Sequence, residues 1–135
     1  MKAILFLSTL ILSFNSYSFS GKWEGVGEFK THKSNGECSN IYLSLRVKNQ
    51  KLYILEGGYS CDFINAEYPP SVFNIDGNNL LYKGRRVGKI TNSQLTLSKE
   101  EFRLRLEKEG SQLIYKEIWQ DNRSYLKIKG ELERL

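Results

Sequence analysis

The stretch Ile41–Leu55 reads IYLSLRVKNQKLYIL and contains two strand patterns separated by a turn. Apolar and polar residues alternate before Asn49-Gln50, and this period of two is typical of an antiparallel strand with one buried face. The alternation resumes after these two residues, so they are expected to form a hairpin turn. In the resulting register Val47 faces Leu52.

Continuing this pairing away from the turn brings Cys38 opposite Cys61. Two cysteines predict one disulfide in a chain that enters an oxidising compartment, and the first residues, described below, have the pattern of an export signal. We expect the disulfide on the face of the sheet opposite Ile41 and Leu43, where it would cross-link the strand ends outside the core. A redox role is disfavoured, because there is no C-x-x-C motif.

The same alternation recurs along the rest of the chain, and no window offers a convincing helix. We predict ten strands, at 22–30, 39–48, 51–60, 72–75, 80–83, 87–91, 94–98, 101–109, 112–119 and 124–133. A meander of ten strands leaves two exposed edges unless the sheet closes. The predicted fold is therefore all-β, an up-and-down antiparallel barrel of 8–10 strands. A two-sheet sandwich is the alternative.

Turn-forming residues separate the predicted strands at the spacing typical of hairpins. Each turn fixes which residues of its two strands face each other. A turn at Lys99-Glu100 would place Leu97 opposite Phe102, and a turn at Asp121-Asn122 would place Tyr115 opposite Ile128. A three-residue turn at Gly84 to Arg86 is needed to keep the apolar face in phase.

The first residues have the pattern of a secretory signal peptide. Lys2 precedes an apolar run at 3–12, and Ser16 and Ser18 have the spacing of a cleavage site. The run is shorter than the roughly 20 residues of a membrane-spanning helix. We expect a signal peptide at 1–18, one domain at 19–135, and a periplasmic or secreted protein. No cysteine lies near the cleavage point, so a lipoprotein anchor is not expected.

The composition gives a net charge of +5 and a pI near 9.2. Export nevertheless argues against a nucleic-acid partner. The main positive concentration is a run at one predicted hairpin tip, formed by Lys83, Arg85, Arg86 and Lys89. Such a run is suited to an anionic lipid surface or an acidic envelope protein, although many charged turns are simply solvated.

Catalysis and metal binding find no support in the sequence. The only histidine is His32, and no nucleophile motif, phosphate loop or metal-ligand spacing is present. We therefore predict a protein that is not an enzyme and that uses no cofactor.

Two acidic residues interrupt the predicted inner face and are the strongest candidates for a polar anchor. These are Glu56 and Glu117, whose apolar neighbours in the register cannot satisfy a carboxylate. The alternative is that a bulge at Gly57-Gly58, or a position near the barrel mouth, gives them access to water. The expected ligand-binding residues are Trp23, Glu56, Tyr82, Tyr115, Glu117 and Trp119.

Glycines on the predicted inner face leave two interpretations open. They are Gly25, Gly27, Gly58, Gly88 and Gly130. In a filled core, glycine permits bends where the sheet coils. In a hollow barrel, glycine leaves volume for an apolar ligand. The longest predicted loop, 62–71 with Pro69-Pro70, is a further candidate for a binding edge or a flap over the mouth.

The first predicted strand begins GKWEGVGEF at Gly21. Its G-x-W element resembles the calycin superfamily, which includes lipocalins, fatty-acid-binding proteins and avidins. The longer G-x-W-x-G-x-G form looks like nitrobindin-type ten-stranded barrels. The resemblance implies that Trp23 packs across the barrel base against a basic residue, for which Arg123, Lys127 and Arg134 are candidates. Haem binding is not implied, because the histidine that holds haem late in such chains is missing.

A weaker similarity is to small periplasmic metalloprotease inhibitors, which are also G-x-W barrels with one disulfide. Their inhibitory arm precedes G-x-W, whereas cleavage near Ser18 would leave only Phe19 and Ser20 there. The leading hypothesis is an exported, monomeric barrel that binds a small hydrophobic or amphipathic molecule in its lumen. The alternative is a barrel that inhibits a protease or lysozyme through its loops, and an envelope structural role is a third, weaker option.

Overall fold

A computed structural model describes residues 18–135, and all but the last residue of the predicted signal peptide lies outside this range. The strands are β1 Gly21–Thr31, β2 Asn35–Lys48, β3 Lys51–Cys61, β4 Asn65–Glu67, β5 Ser71–Asp76, β6 Asn79–Tyr82, β7 Arg85–Ile90, β8 Gln94–Lys99, β9 Phe102–Glu109, β10 Gln112–Gln120 and β11 Tyr125–Arg134. The ten predicted strands are all present, and the sequence missed only the three-residue β4.

The strands form one antiparallel sheet that closes on itself. Consecutive strands pair with each other, except that β3 pairs with β5 as well as with β4, and β4 does not pair with β5. The pairing of β1 with both β2 and β11 closes the sheet. Strand β4 lies outside this ring of ten and pairs with the end of β3. The predicted up-and-down barrel is confirmed. In residues 18–135 no helix is long and apolar enough to cross a membrane.

Most hairpin registers follow the sequence pattern, and two are displaced. Val47 pairs with Leu52 as predicted. Leu97, however, pairs with Leu104, and Ile128 pairs with Glu117. Both shifts amount to two residues, and a shift of two keeps every side chain on its face of the sheet. The inner faces of these strands are therefore the predicted ones.

The turn predicted at Gly84 to Arg86 also differs. Lys83 and Gly84 form a two-residue turn, and both have positive φ. The alternation of inner and outer residues is restored because the pairing of β6 with β7 shifts by one residue next to Leu80. The additional residue that the pattern required thus lies within the hairpin rather than at its tip.

The inner faces of the strands enclose a packed core. Its fully buried apolar side chains include Phe19, Trp23, Phe29, Ile41, Leu43, Leu45, Leu52, Leu80, Ile90, Leu95, Leu104, Leu106, Leu113, Tyr115, Ile128 and Leu132. We call the end of the barrel that contains the β2–β3 turn the base. The opposite end, which contains the β8–β9 and β10–β11 turns, is called the mouth.

The chain segment before β1 closes the base. The Phe19 side chain is completely buried, and its carbonyl accepts a hydrogen bond of 2.9 Å from Trp23 Nε1. The guanidinium of Arg134 stacks 4.5 Å from the centre of a Trp23 ring and donates to the Ser18 carbonyl at 2.7 Å. Of the three basic residues that the resemblance offered, Arg134 is the one that packs on Trp23.

The disulfide forms between the predicted partners, Cys38 and Cys61, but lies on the other face from the one expected. An irregularity at Ser39 adds one residue to β2, so Cys38 lies on the same face as Ile41 and is 1% exposed. The bridge is thus part of the core. It closes a loop with a sequence separation of 23, which contributes on the order of 3 kcal/mol to stability.

The inner-face glycines favour the filled-core interpretation. A Cβ at Gly88 would lie 1.8 Å from the Thr96 carbonyl oxygen, and one at Gly130 would lie 2.5 Å from Ile41 Cδ1. Real Cβ atoms do not approach other atoms so closely. These glycines permit neighbouring chain segments to meet, and the hypothesis that they leave volume for a ligand is wrong.

A candidate binding site at the barrel mouth

A buried carboxylate, that of Glu117, lies on the inner face of β10 towards the mouth. It is 0% exposed, and its strand neighbours are Leu104 and Ile128. Tyr115 and Trp119 lie two residues to either side on the same strand, so all three side chains point inward. The sequence prediction that Glu117 faces the interior is confirmed.

Three neutral hydrogen-bond donors hold the Glu117 carboxylate. Tyr115 donates to Oε1 at 2.5 Å, while Trp119 Nε1 and the Tyr59 hydroxyl donate to Oε2 at 2.6 and 3.1 Å. The Tyr115 hydroxyl also forms a hydrogen bond with the hydroxyl of Tyr68. Among residues 18–135 no buried side-chain nitrogen or oxygen is left without a partner. The cluster is a connected polar network inside an otherwise apolar barrel.

Burial dominates the electrostatics of this network. Desolvation raises the pKa of Glu117 to about 7, although the hydrogen bonds from Trp119 and Tyr59 oppose the shift. Burial also raises the pKa of both Tyr59 and Tyr115, which keeps their hydroxyls protonated. Near neutral pH the cluster therefore exchanges a proton at Glu117 while the tyrosines remain donors.

Glu56, the other predicted anchor, lies exposed on the outer face. The pairing of β2 with β3 shifts by one residue between Leu45 and Ser44, and this irregularity leaves Leu55 as the extra residue on β3. Beyond a bulge the two faces of a strand exchange. The prediction that Glu56 faces inward is wrong for this reason.

The same bulge brings Tyr59 into the barrel, where it is 3% exposed and contacts Glu117. The sequence analysis did not assign Tyr59 to the site, and it covered Tyr68 only as part of the loop at 62–71, the candidate binding edge. Tyr68 follows β4 and is positioned by a backbone hydrogen bond of 2.7 Å from its nitrogen to the Gly57 carbonyl. Neither residue has a local signal, because one depends on a bulge and the other on a loop contact.

Aromatic side chains lie between this cluster and the solvent at the barrel mouth. Phe102 packs against Trp119 with ring centres 4.7 Å apart and against Tyr68 at 6.3 Å. Phe73 and Tyr82 form a separate pair that has no ring contact with these three, and their ring centres are 5.7 Å apart. Trp119 remains 42% exposed, so the polar network reaches the surface through its indole. We call Tyr68, Phe102 and Trp119 the mouth aromatics.

The other predicted site residues are not among the hydrogen-bond partners of Glu117. Trp23 is buried at the base, at the opposite end from the mouth. Tyr82 is half-buried, and the ammonium groups of Lys83 and Lys99 lie 5.4 and 5.1 Å from the centre of its ring. The basic residues of the run, Lys83, Arg85, Arg86 and Lys89, are all exposed on the β6–β7 hairpin.

Several hollows occur on the outer surface of the described residues. One of them has a volume of about 920 Å³ and lies over β1, β10 and β11, where Val26 is exposed and Glu131 contributes a carboxylate. Residues 18–135 contain no group of three or more histidine, cysteine or acidic side chains arranged to hold a metal ion.

The chain matches no family model and no curated protein. Among solved structures, it is similar to a zebrafish ileal bile-acid-binding protein complexed with cholic acid. That match has 10% identity and a TM-score of 0.46, and it covers 87% of this chain and 98% of the other. A second match is the siderocalin Ex-FABP, described as functioning through dual ligand specificities, with 9% identity, a TM-score of 0.42 and coverage of 86% and 73%. The fold of this chain, a closed antiparallel meander of ten strands, is given by its own strand pairing.

Proposed function

We propose that this protein is an exported binding protein that holds a small hydrophobic or amphipathic molecule at the barrel mouth, without catalysing a reaction on it. One observation carries the proposal. A buried carboxylate, Glu117, is linked through the half-exposed Trp119 to a set of aromatic rings at the surface. Apolar walls with a few convergent polar groups are the usual composition of small-molecule sites.

The packed core restricts where such a molecule would bind. Leu95, Leu106 and Leu113 fill the barrel towards the base, and Phe19 closes it. The proposed ligand therefore lies between the mouth aromatics, above Glu117, instead of in a deep lumen. Entry requires the Trp119 side chain to move, and a partly exposed side chain is free to change its rotamer on a short timescale.

A titration with a neutral, environment-sensitive dye such as Nile red tests this site. We expect Phe102→Ala to weaken dye binding at least tenfold, because it removes the ring that packs on both Trp119 and Tyr68. The matched control is Phe63→Ala, which removes an aromatic ring that is 82% exposed on the neighbouring β3–β4 turn. Equal binding by the two variants would contradict the proposal.

Export is tested separately by intact mass and N-terminal sequencing of the protein isolated from its source. We expect a mature chain that begins at Phe19. Cleavage there would remove the Ser18 carbonyl that Arg134 contacts but would keep the Phe19 side chain in the base. A chain that retains residues 1–18 would contradict export by this signal.

The second candidate is a protein-binding barrel that acts through its loops. The observation in its favour is Phe63, a large apolar side chain that projects from a turn next to the disulfide residue Cys61. Exposed aromatic side chains are common anchors in protein interfaces. Native mass spectrometry of the protein from its source separates the candidates, since it shows either a retained small molecule or a retained protein chain.

A further inference from the structure

Among residues 18–135 the Glu117 carboxylate has no cationic partner. Its three donors are two hydroxyls and an indole N–H, all neutral. Within residues 18–135 one ion pair is found, and it joins Arg105 and Glu107 on the outer surface. The ammonium groups of Lys83 and Lys99 lie over the ring of Tyr82 instead. A buried acid held only by neutral dipoles leaves its negative charge uncompensated when it ionises.

One of the three donors is exposed to solvent at the barrel mouth. Trp119 is 42% exposed and covers Oε2 with its N–H, whereas Tyr59 and Tyr115 are buried. Rotation of the Trp119 side chain would free one acceptor position on Oε2 and leave the other two hydrogen bonds in place. A ligand group that replaces the indole N–H must be a donor, because an ionised carboxylate only accepts.

The surrounding rings favour the same kind of group. Phe102 and Tyr68 present aromatic faces and edges next to Trp119. Aromatic faces attract cations through their quadrupole, and the attraction increases when water is excluded. A carboxylate at the bottom of an aromatic site therefore fits a positively charged donor better than a neutral one.

We propose that the ligand carries a basic nitrogen, whose ammonium group replaces the Trp119 N–H at Glu117 Oε2 while its apolar part lies against Phe102 and Tyr68. This inference rests on the binding site at the mouth proposed above. It assigns a chemical class, a small amphipathic amine, to that site.

The proposal has a consequence for pH. The groups that face Glu117 are Tyr59 from β3 and Tyr115 and Trp119 from β10, while its neighbours on β9 and β11 are apolar. An ammonium group binds to the ionised carboxylate, so binding below the pKa of Glu117, about 7, must release a proton. Affinity for an amine should rise several-fold from about pH 6 to about pH 8, where alkyl ammonium groups, like that of lysine, are still charged.

Isothermal titration calorimetry with three matched probes tests the inference: 4-phenylbutylamine, 4-phenyl-1-butanol and 4-phenylbutyrate. On the purified, disulfide-bonded protein at about pH 8, we expect the amine to bind at least tenfold more tightly than the alcohol. Glu117→Gln should remove that preference and leave the alcohol unchanged. Glu131→Gln, on the exposed outer face of β11, is the matched control and should change neither probe.

The outcomes separate this inference from the proposed function. If the alcohol or the acid binds as tightly as the amine, and Phe102→Ala weakens that binding, the site at the mouth stands and the amine preference is overturned. If none of the probes binds, both fail. Should Glu117→Gln not fold, the wild-type pH series decides, because equal pH profiles for amine and alcohol would overturn the inference.

Discussion

At the scale of single residues, Glu117 is an acid at a position where the neighbouring strands supply leucine and isoleucine. It is tolerated there because Tyr59, Tyr115 and Trp119 satisfy both of its oxygens. Removing the Glu117 carboxylate would leave Tyr59 and Trp119 without the hydrogen bonds that it accepts from them. The cluster therefore fixes the positions of side chains from two non-adjacent strands, β3 and β10.

The raised pKa of Glu117 predicts a pH dependence of stability. Its folded-state pKa of about 7 lies above its ordinary value of 4.5, so folding favours the protonated acid. This contribution is complete below pH 4.5 and is lost as the pH rises through 7. Relative to Glu117→Gln, the wild-type free energy of unfolding should fall on the order of 3 kcal/mol between these limits. Urea unfolding across the pH range measures it, and parallel profiles would contradict the prediction.

At the scale of elements, the β2–β3 hairpin shows how a local turn sets a register. Asn49 and Gln50 have φ angles of 54° and 59°, which is the left-handed geometry of a type I′ turn. Asparagine tolerates this conformation, whereas a longer side chain is strained in it. The turn fixes the pairing of Val47 with Leu52 beside it.

Gln50→Gly should therefore stabilise the protein, by about 0.5–1 kcal/mol, because glycine adopts positive φ without strain. The thermal unfolding midpoint should rise. Ser93→Gly is the matched control, since Ser93 lies in the β7–β8 turn but has no positive φ. Equal shifts in both variants would show that turn geometry is not the cause.

At the scale of the whole molecule, the barrel is closed at its base by residues that precede β1. Phe19 is completely buried, and Ser20 Oγ accepts a hydrogen bond of 2.8 Å from the Val47 nitrogen. Arg134, from the last strand, contacts both Ser18 and Trp23. The start and the end of the domain thus meet at one site and complete the core together.

Phe19→Ala should destabilise the protein by about 3 kcal/mol, because it leaves a cavity under Trp23. Phe63→Ala, at an exposed position, should change stability by less than about 0.5 kcal/mol. Denaturant unfolding of both variants checks the difference. A similar small effect of the two substitutions would show that the base does not depend on Phe19.

Much of this fold followed from short-range pattern. Alternation placed ten strands, and turn residues paired Cys38 with Cys61 and brought Glu117 to the inner face. The candidate site was predicted less completely. Glu56 was assigned to the wrong face, and Tyr59 was missed, because both lie beyond the bulge at Leu55. The glycines at Gly57-Gly58 offered a bulge as the alternative, but the pattern did not place it at Leu55, and a bulge exchanges the two faces of everything that follows.

The sequence by itself determined the strands, their inner faces away from bulges, and the presence of an acid among apolar neighbours, because side chains alternate with a fixed period along each strand. Only the tertiary structure decided how that acid is satisfied. Its donors come from β3 and β10, whose residues Tyr59 and Glu117 are far apart in the chain. It also decided that the inner glycines adjoin neighbouring backbone and not empty space. Closure of the sheet sets these distances, and they depend on all ten strands at once.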